Sequence, residues 1–482
     1  METDRFSEEH EVFVSRIAPL QEDDMRMRDV FDSLSPIDYR YWDAEVAKYL
    51  SENGFTRYKL RVERALATVL ERRGVCSEDT LREIVAACGE VVTEEVYDEE
   101  GRIGHDIRAL VNRIQTRLSD RAKPFVHLSA TSFDIIESAN AARYKHVVEI
   151  VVIPALIELE KVLITLADNE AETPQAGRTH GQHAVPTSFG FAIAEYVSRI
   201  GGSIEELKLR ADKLPGKFSG AVGAYNASSL FFDDPEVFEA EVLAEMGLIP
   251  AEYSTQIVPP EAMTRLLCEV TITAGILANL ADDMRHLQRT EIAEVGEPVE
   301  EDQVGSSTMP QKMNPINFEN AKSLWKVVMP RIITVFLDQI SEHQRDLTNS
   351  ASARTYGEVV AYVFSMAKRL TRVMNKLTVN HENLQRNLNM TKGGTAAEPL
   401  QLILSALGHS HAHEKVRILA RQARRESRPL EEVVMGDAEL ADYLEKMTPR
   451  QRSVISNPSL YIGIAPKKAR AVAERWKQKL GL

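Results

Sequence analysis

The chain has 482 residues, more than one ordinary domain, and 44% of them are hydrophobic, enough to bury a large core and to exclude a disordered chain. Fifty-eight basic against 72 acidic residues give a formal charge of −14, which argues against extended contact with nucleic acid or an anionic membrane. Three cysteines, Cys76, Cys88 and Cys268, with no CxxC spacing, exclude a disulfide scaffold or a thiolate zinc site and point to a reducing cytoplasm.

In chain order, the opening Met1-Glu2-Thr3-Asp4-Arg5 carries no apolar signal region. Residues 1–130 read as a first unit of shorter helices, separated by turn signals such as Ser35-Pro36 and Glu100-Gly101. Within it lies a polar island, Gly104-His105-Asp106-Ile107. A second island spans Val126 to Asp134, where Thr131 or Ser132 can cap a long helix whose N-terminal amides then face a bound anion. Residues 131–385 read as a central unit of five long helices, roughly 134–169, 186–212, 267–289, 316–343 and 357–378, with apolar residues at three-to-four spacing. The apolar stretch 147–167 is interrupted by Glu149, Pro154, Glu158, Glu160 and Lys161, so it suits a buried bundle helix better than a membrane span.

Between the first two long helices, Gly177 to Pro186 reads as a loop that its glycines and proline keep from being helical. Its histidines His180 and His183 are three apart, but Gly181 between them and the lack of a nearby carboxylate or thiolate argue against zinc. A structural hydrogen bond is the reading for His183. The loop Gly305 to Pro315, Gly-Ser-Ser-Thr-Met-Pro-Gln-Lys-Met-Asn-Pro, has almost no helix or strand propensity. Backbone amides near Gly305, the hydroxyls of Ser306 and Ser307, the ammonium of Lys312 and the amide of Asn314 can converge there on a carboxylate. Residues 386–482 read as a third unit of shorter helices, broken at Gly393-Gly394, Gly408 and Asn457-Pro458. In it His409-Ser410-His411-Ala412-His413 reads as a capped helix start on the surface and not as a metal site. Histidines, hydroxyls, a lysine and arginines with few free carboxylates suit acid/base chemistry on a multiply anionic substrate, with no metal and no cofactor.

The loop from Gly305 to Pro315 resembles the G-S-S-x-M-P-x-K-x-N-P hallmark of the fumarase/aspartase superfamily. Within it the chain is most similar to the adenylosuccinate lyase family, through Arg178-Thr-His-Gly-Gln-His-Ala-Val-Pro186, Ser254-Thr-Gln-Ile-Val-Pro259, Arg345-Asp-Leu-Thr-Asn-Ser350 with Arg354, and Arg40-Tyr41. The resemblance runs from about residue 34 to the C-terminus. It implies an all-α, three-domain fold whose five-helix units assemble into a twenty-helix core in a homotetramer. It also implies β-elimination of fumarate from adenylosuccinate and from the succinylated carboxamide intermediate SAICAR in purine synthesis.

By this resemblance Ser306 is the general base and His180 the general acid that protonates the departing nitrogen. His105 would lie near the nucleotide phosphate and assist His180, and Glu319 would orient a catalytic histidine. Lys312 and Asn314, with Thr131 and Ser132, would clamp the succinyl carboxylates. Gln256, Arg345, Ser350 and Arg354, with Arg40 and Tyr41, would orient the substrate and bind phosphate. Asp106, His127, Ser307 and Met309 complete the expected substrate contacts. His127 is open to two readings, a substrate contact or a supporting histidine.

Two departures bear on substrate choice. Gln311 stands where adenylosuccinate lyases often carry histidine and argininosuccinate lyases glutamine, and Thr348 stands where serine is frequent. Two further readings remain beside the first: another superfamily lyase (argininosuccinate lyase or 3-carboxymuconate cycloisomerase), and a catalytically silent structural relative. The polar islands lie at the ends of different long helices, and about twenty helical residues span roughly 30 Å. Subunits are therefore expected to share a site, and the resemblance implies that each site takes islands from three chains.

Overall fold

The computed structural model describes residues 29–298, 308–309, 311–344 and 348–482. The five expected long helices are present. The first is a continuous helical rod over 132–169, made of Ser132–Val147, a π turn Val148–Val152, and Ile153–Asn169. The π turn lies just before Pro154, which has no N–H to donate and whose ring would crowd the carbonyl four residues earlier. The remaining helices are Phe189–Asp212, Glu261–Leu287, Ile316–Val328 and Tyr356–Met374. The expected 316–343 helix is interrupted at Met329-Pro330 and resumes only as Arg331–Leu337, because Pro330 starts a new helix and cannot continue the old one.

The rod packs on Phe189–Asp212 and Tyr356–Met374, and Glu261–Leu287 packs on Phe189–Asp212, Ile316–Val328 and Tyr356–Met374. Leu266, Leu267, Val270, Ala274, Leu277 and Leu280 on Glu261–Leu287 are all fully enclosed. That helix is long and apolar enough to cross a membrane by composition, but most of its apolar positions are taken up by the other bundle helices, Ile272 excepted.

Before the bundle, the helix Glu52–Arg72 is longer than the short pieces expected there and packs on the start of the rod. Gly101 lies inside the helix Thr93–Ile103 and is not a turn; the chain breaks instead at Gly104, whose φ of 73° is the left-handed conformation that ends helices. Residues 174–188, expected as a loop, form an antiparallel hairpin, Pro174–Thr179 with Gln182–Ser188. His180 and Gly181, with φ of 54° and 70°, are its two-residue turn, the primed geometry that suits strand twist. Among the described residues only two further, two-residue strand pairs occur.

One apolar core runs from the Glu52–Arg72 region through the bundle, and a second, separate one joins residues between Ala396 and Ile455. The last helix, Ala465–Leu480, returns to the first core through Ala469, Val472, Ala473 and Trp476. Gly201 is a true requirement there, since a Cβ would come 2.4 Å from the Trp476 ring. His409 is buried, not on the surface, and its Nδ1 accepts the His411 N–H (3.2 Å) in the turn before the helix Ala412–Glu426.

Candidate active site

The first island is built at a helix start. His105 is the N-cap residue of Asp106–Gln115, and its Nδ1 accepts the Arg108 N–H at 3.3 Å. Asp106 accepts the Ile107 N–H at 2.7 Å, and both side chains are open to solvent. Behind them lies Lys59, buried on the Glu52–Arg72 helix. Burial holds its ammonium below the usual lysine range, against the opposing pull of the Asp106 and Glu52 carboxylates. Glu52 Oε1 receives Arg354 Nη1 at 2.5 Å and its Oε2 receives the Tyr97 hydroxyl at 2.8 Å. Arg354 therefore joins the Lys59–Asp106 neighbourhood although 248 positions separate Arg354 from Asp106 in the chain.

The second island is bolted to this end of the bundle by buried charge. Asp134 receives the Thr131 N–H on Oδ2 (2.8 Å), and on Oδ1 it receives Lys217 Nζ (2.5 Å) and the Gly220 N–H (3.2 Å). Asp134 and Lys217 are both fully enclosed, so each needs the other and the added hydrogen bonds to offset desolvation. The same segment supports the Gln256 stretch. Ser219 Oγ and Ser254 Oγ lie 2.6 Å apart, and a Cβ on Gly223 (φ 76°) would come 2.0 Å from the Ser254 carbonyl oxygen. Thr131, Ser132 and Gln256 are thus tied together through Asp134, Lys217 and Ser254. His127, four residues earlier, is hydrogen-bonded to the buried Glu63.

The Ser350 turn is held from below. Asp338 accepts the Ser352 hydroxyl (2.7 Å) and the Tyr356 hydroxyl (2.6 Å) on its carboxylate, and Asn349 Nδ2 donates to its carbonyl (2.7 Å). A cavity of about 110 Å3 lies between this network and the Gln256 stretch, lined by Asp338, Asn349, Tyr356, Ile257, Glu137 and Asn140. Tyr41 meets the bundle elsewhere: its hydroxyl accepts Asn320 Nδ2 at 2.7 Å and its ring stands edge-on to Tyr362, while Arg40 is exposed.

His180 sits at the exposed tip of its hairpin, beyond the other end of the rod. The hairpin is anchored by Glu294, a fully buried carboxylate that receives both Nη atoms of Arg178, Gln175 Nε2 (2.9 Å) and Asn387 Nδ2 (2.9 Å). His183 Nδ1 is enclosed with no hydrogen-bond partner among the described residues, contrary to the structural bond expected of it. Burial, then the Arg178 charge, lower the pKa of that ring below the ordinary histidine value, against the opposing pull of Glu294. Met309, Lys312 and Asn314 lie near the C-terminal end of Glu261–Leu287, where Gln288 Nε2 reaches the Met313 carbonyl (3.4 Å). Glu319 is exposed on Ile316–Val328, and among the described residues of this one chain no histidine bonds to it. Ser306, Ser307 and Arg345 lie outside the described residues.

One chain therefore gathers His105, Asp106, His127, Thr131, Ser132, Gln256, Ser350 and Arg354 toward one end of its bundle, and His180, Lys312 and Asn314 toward the other. Reasoning from sequence missed Glu63, Lys59, Lys217, Glu294 and Asp338, each of which reads as an ordinary charge until burial is known.

A family model for lyases matches residues 25–329, and one for the adenylosuccinate lyase C-terminal region matches 341–452. The adenylosuccinate lyase of Pyrococcus horikoshii is 39% identical over 92% of this chain and 98% of its own length. That of Methanocaldococcus jannaschii is 32% identical over 93% and 97%. The chain belongs to the adenylosuccinate lyase family, within the fumarase/aspartase superfamily. Its fold is shared with the 3-carboxy-cis,cis-muconate lactonizing enzyme of Pseudomonas putida, at a TM-score of 0.80 and 23% identity, covering 94% of this chain and 99% of that one. A fumarate lyase from Mesorhizobium sp. BNC1 has the same fold, at a TM-score of 0.78 and 23% identity over 90% and 98% of the two chains.

Proposed function

We propose that this lyase cleaves the C–N bond of adenylosuccinate, giving AMP and fumarate, and likewise converts SAICAR to AICAR and fumarate. The observation that carries this reading is near-full-length similarity to adenylosuccinate lyases of several archaea and bacteria, joined to the match of that family's own C-terminal region. In the reaction a base takes a proton from the carbon beside a succinyl carboxylate, and that electron pair forms the new C=C bond. The C–N bond breaks and the nitrogen takes a proton from an acid.

Ser306 is assigned as the base and His180 as the acid, with His105 assisting and Glu319 orienting a histidine. Lys312, Asn314, Thr131 and Ser132 hold the carboxylates, where negative charge grows as the proton leaves. Arg40, Tyr41, Gln256, Arg345, Ser350 and Arg354 hold the nucleotide, and Asp106, His127, Ser307 and Met309 line the site.

The protein is read as a cytoplasmic homotetramer with each site assembled from three subunits. Two features support this. The two residue groups lie at opposite ends of one bundle, and the bundle exposes Ile272, Ile333, Phe336, Leu337 and Ile340, the last at 80%, an apolar surface suited to burial by further copies. The division into units 1–130, 131–385 and 386–482 belongs to the same reading, with Ala465–Leu480 folded back on the bundle. The test is product analysis: purified protein with adenylosuccinate should yield AMP and fumarate in equal amounts. Failure of the folded, assembled protein to release either would refute the proposal.

A further inference from the structure

His127 is held in an uncommon way. Its φ is 63°, a left-handed backbone that side chains disfavour. Its own N–H donates to Glu63 Oε2 at 3.0 Å, and its ring Nδ1 bonds Glu63 Oε1 at 2.7 Å. A single carboxylate grips both the backbone and the ring of one residue. Glu63 itself is fully enclosed, on a helix whose buried positions one turn to either side are Lys59, Leu60, Leu66 and Ala67. Burying a carboxylate costs stability unless it is bonded, and among the described residues His127 is the sole hydrogen-bond partner of this one; the buried Lys59 one turn away makes no hydrogen bond to it. A carboxylate on Nδ1 keeps the proton on that nitrogen and leaves Nε2 as the working end of the ring.

We propose that Glu63 is a positioning residue for the lyase reaction: it holds His127 as an imidazolium whose Nε2–H donates to an anionic oxygen of the bound substrate. This rests on the function proposed above and adds the device that sets one of its ligands. Four residues further on, Thr131 and Ser132 start the rod at the same edge of the bundle, so His127 stands among groups already assigned to anion binding. The charges facing the ring come from three helices. Burial opposes its protonation, Glu63 and then Asp134 favour it, Arg108 opposes it, and the balance lies above the ordinary imidazole value. The imidazolium therefore persists to higher pH than a free histidine would allow.

The experiment is a double-mutant cycle on the assembled enzyme with Glu63→Gln, which keeps the shape and removes the charge, and His127→Ala. Glu63→Gln should lower kcat/KM for adenylosuccinate by about ten- to a hundredfold, the size expected for a hydrogen bond to a charged group. It should also move the alkaline limb of the kcat/KM profile to lower pH. In the His127→Ala background the same change should do nothing further. Inhibition by AMP and by fumarate separates the sources of the anionic oxygen: weakened AMP inhibition assigns it to phosphate, weakened fumarate inhibition to carboxylate. Losses that multiply across the cycle, or an unmoved alkaline limb with unchanged kcat/KM, would overturn the proposal. Should Glu63→Gln fail to assemble, Glu63→Asp, which keeps the charge on a shorter arm, carries the same cycle. Wild-type protein inert toward adenylosuccinate would instead refute the function itself.

Discussion

Ser132 and His180 belong to opposite ends of one helical rod: Ser132 begins it, and the hairpin bearing His180 follows its last residue, Asn169. Residues 132–169 span roughly 55 Å at 1.5 Å per residue, several times the size of a succinyl group. If Thr131 and Ser132 hold a carboxylate and His180 is the acid, as proposed, they can serve one substrate only where another subunit brings its opposite end alongside. His105 stands at the Ser132 end, so mixing His180→Ala with His105→Ala, each impaired alone, should restore part of the wild-type rate through hybrid sites. Verified subunit exchange with no recovery would count against shared sites.

The Arg178–Glu294 pair fixes the hairpin. Removing one partner from a buried pair leaves an uncompensated charge, so Arg178→Met should destabilise the protein by about 3 kcal/mol and lower kcat through a displaced His180. Denaturant midpoints and steady-state kinetics check this together. An unchanged midpoint would show that Glu294 finds enough in Gln175 and Asn387.

At the other end, Asp338→Asn loses the acceptor for either the Ser352 or the Tyr356 hydroxyl and loosens the Ser350 turn. The expected result is a KM for adenylosuccinate raised by about tenfold with a smaller change in kcat, as for a group that orients bound nucleotide. A fall in kcat with KM unchanged would place the turn in the chemical step instead.

Glu160 gives a pH signature of stability. Its carboxyl is fully enclosed, neither oxygen has a partner among the described residues, and burial pushes its pKa up to about 9. The folded state keeps the proton that the unfolded chain gives up above about pH 4.5. This contribution is therefore favourable at low pH and is lost progressively as pH rises toward 9. Glu160→Leu should stabilise the protein, by on the order of 3 kcal/mol at pH 7. Its Tm advantage over wild type should grow between pH 5.5 and pH 8.5, and an advantage independent of pH would contradict the assignment.

The helical bundle was legible because apolar residues recur at three-to-four spacing, a pattern that packing then uses directly. Interruptions were less legible: Pro330 and Pro154 are visible as letters, but one broke a helix and the other was absorbed by a π turn. Gly177 and Pro186 made the hairpin read as a loop, although His180-Gly181 between short extended stretches is a turn pair that could have been recognised. The 305–315 loop and the islands holding His180 and His105 stood out as polar breaks in the helical pattern, and their roles came through family resemblance. Their supports did not stand out. Glu63, Glu294, Lys217 and Asp338 look like solvated charges in sequence, and only tertiary burial, which no local pattern encodes, turns them into anchors.

The most direct test of the central claim is fumarate release measured side by side from adenylosuccinate and argininosuccinate, since Gln311 is the residue that points to the second. The account predicts turnover of adenylosuccinate, with AMP formed in equal amount, and none of argininosuccinate. Turnover of argininosuccinate alone would contradict it.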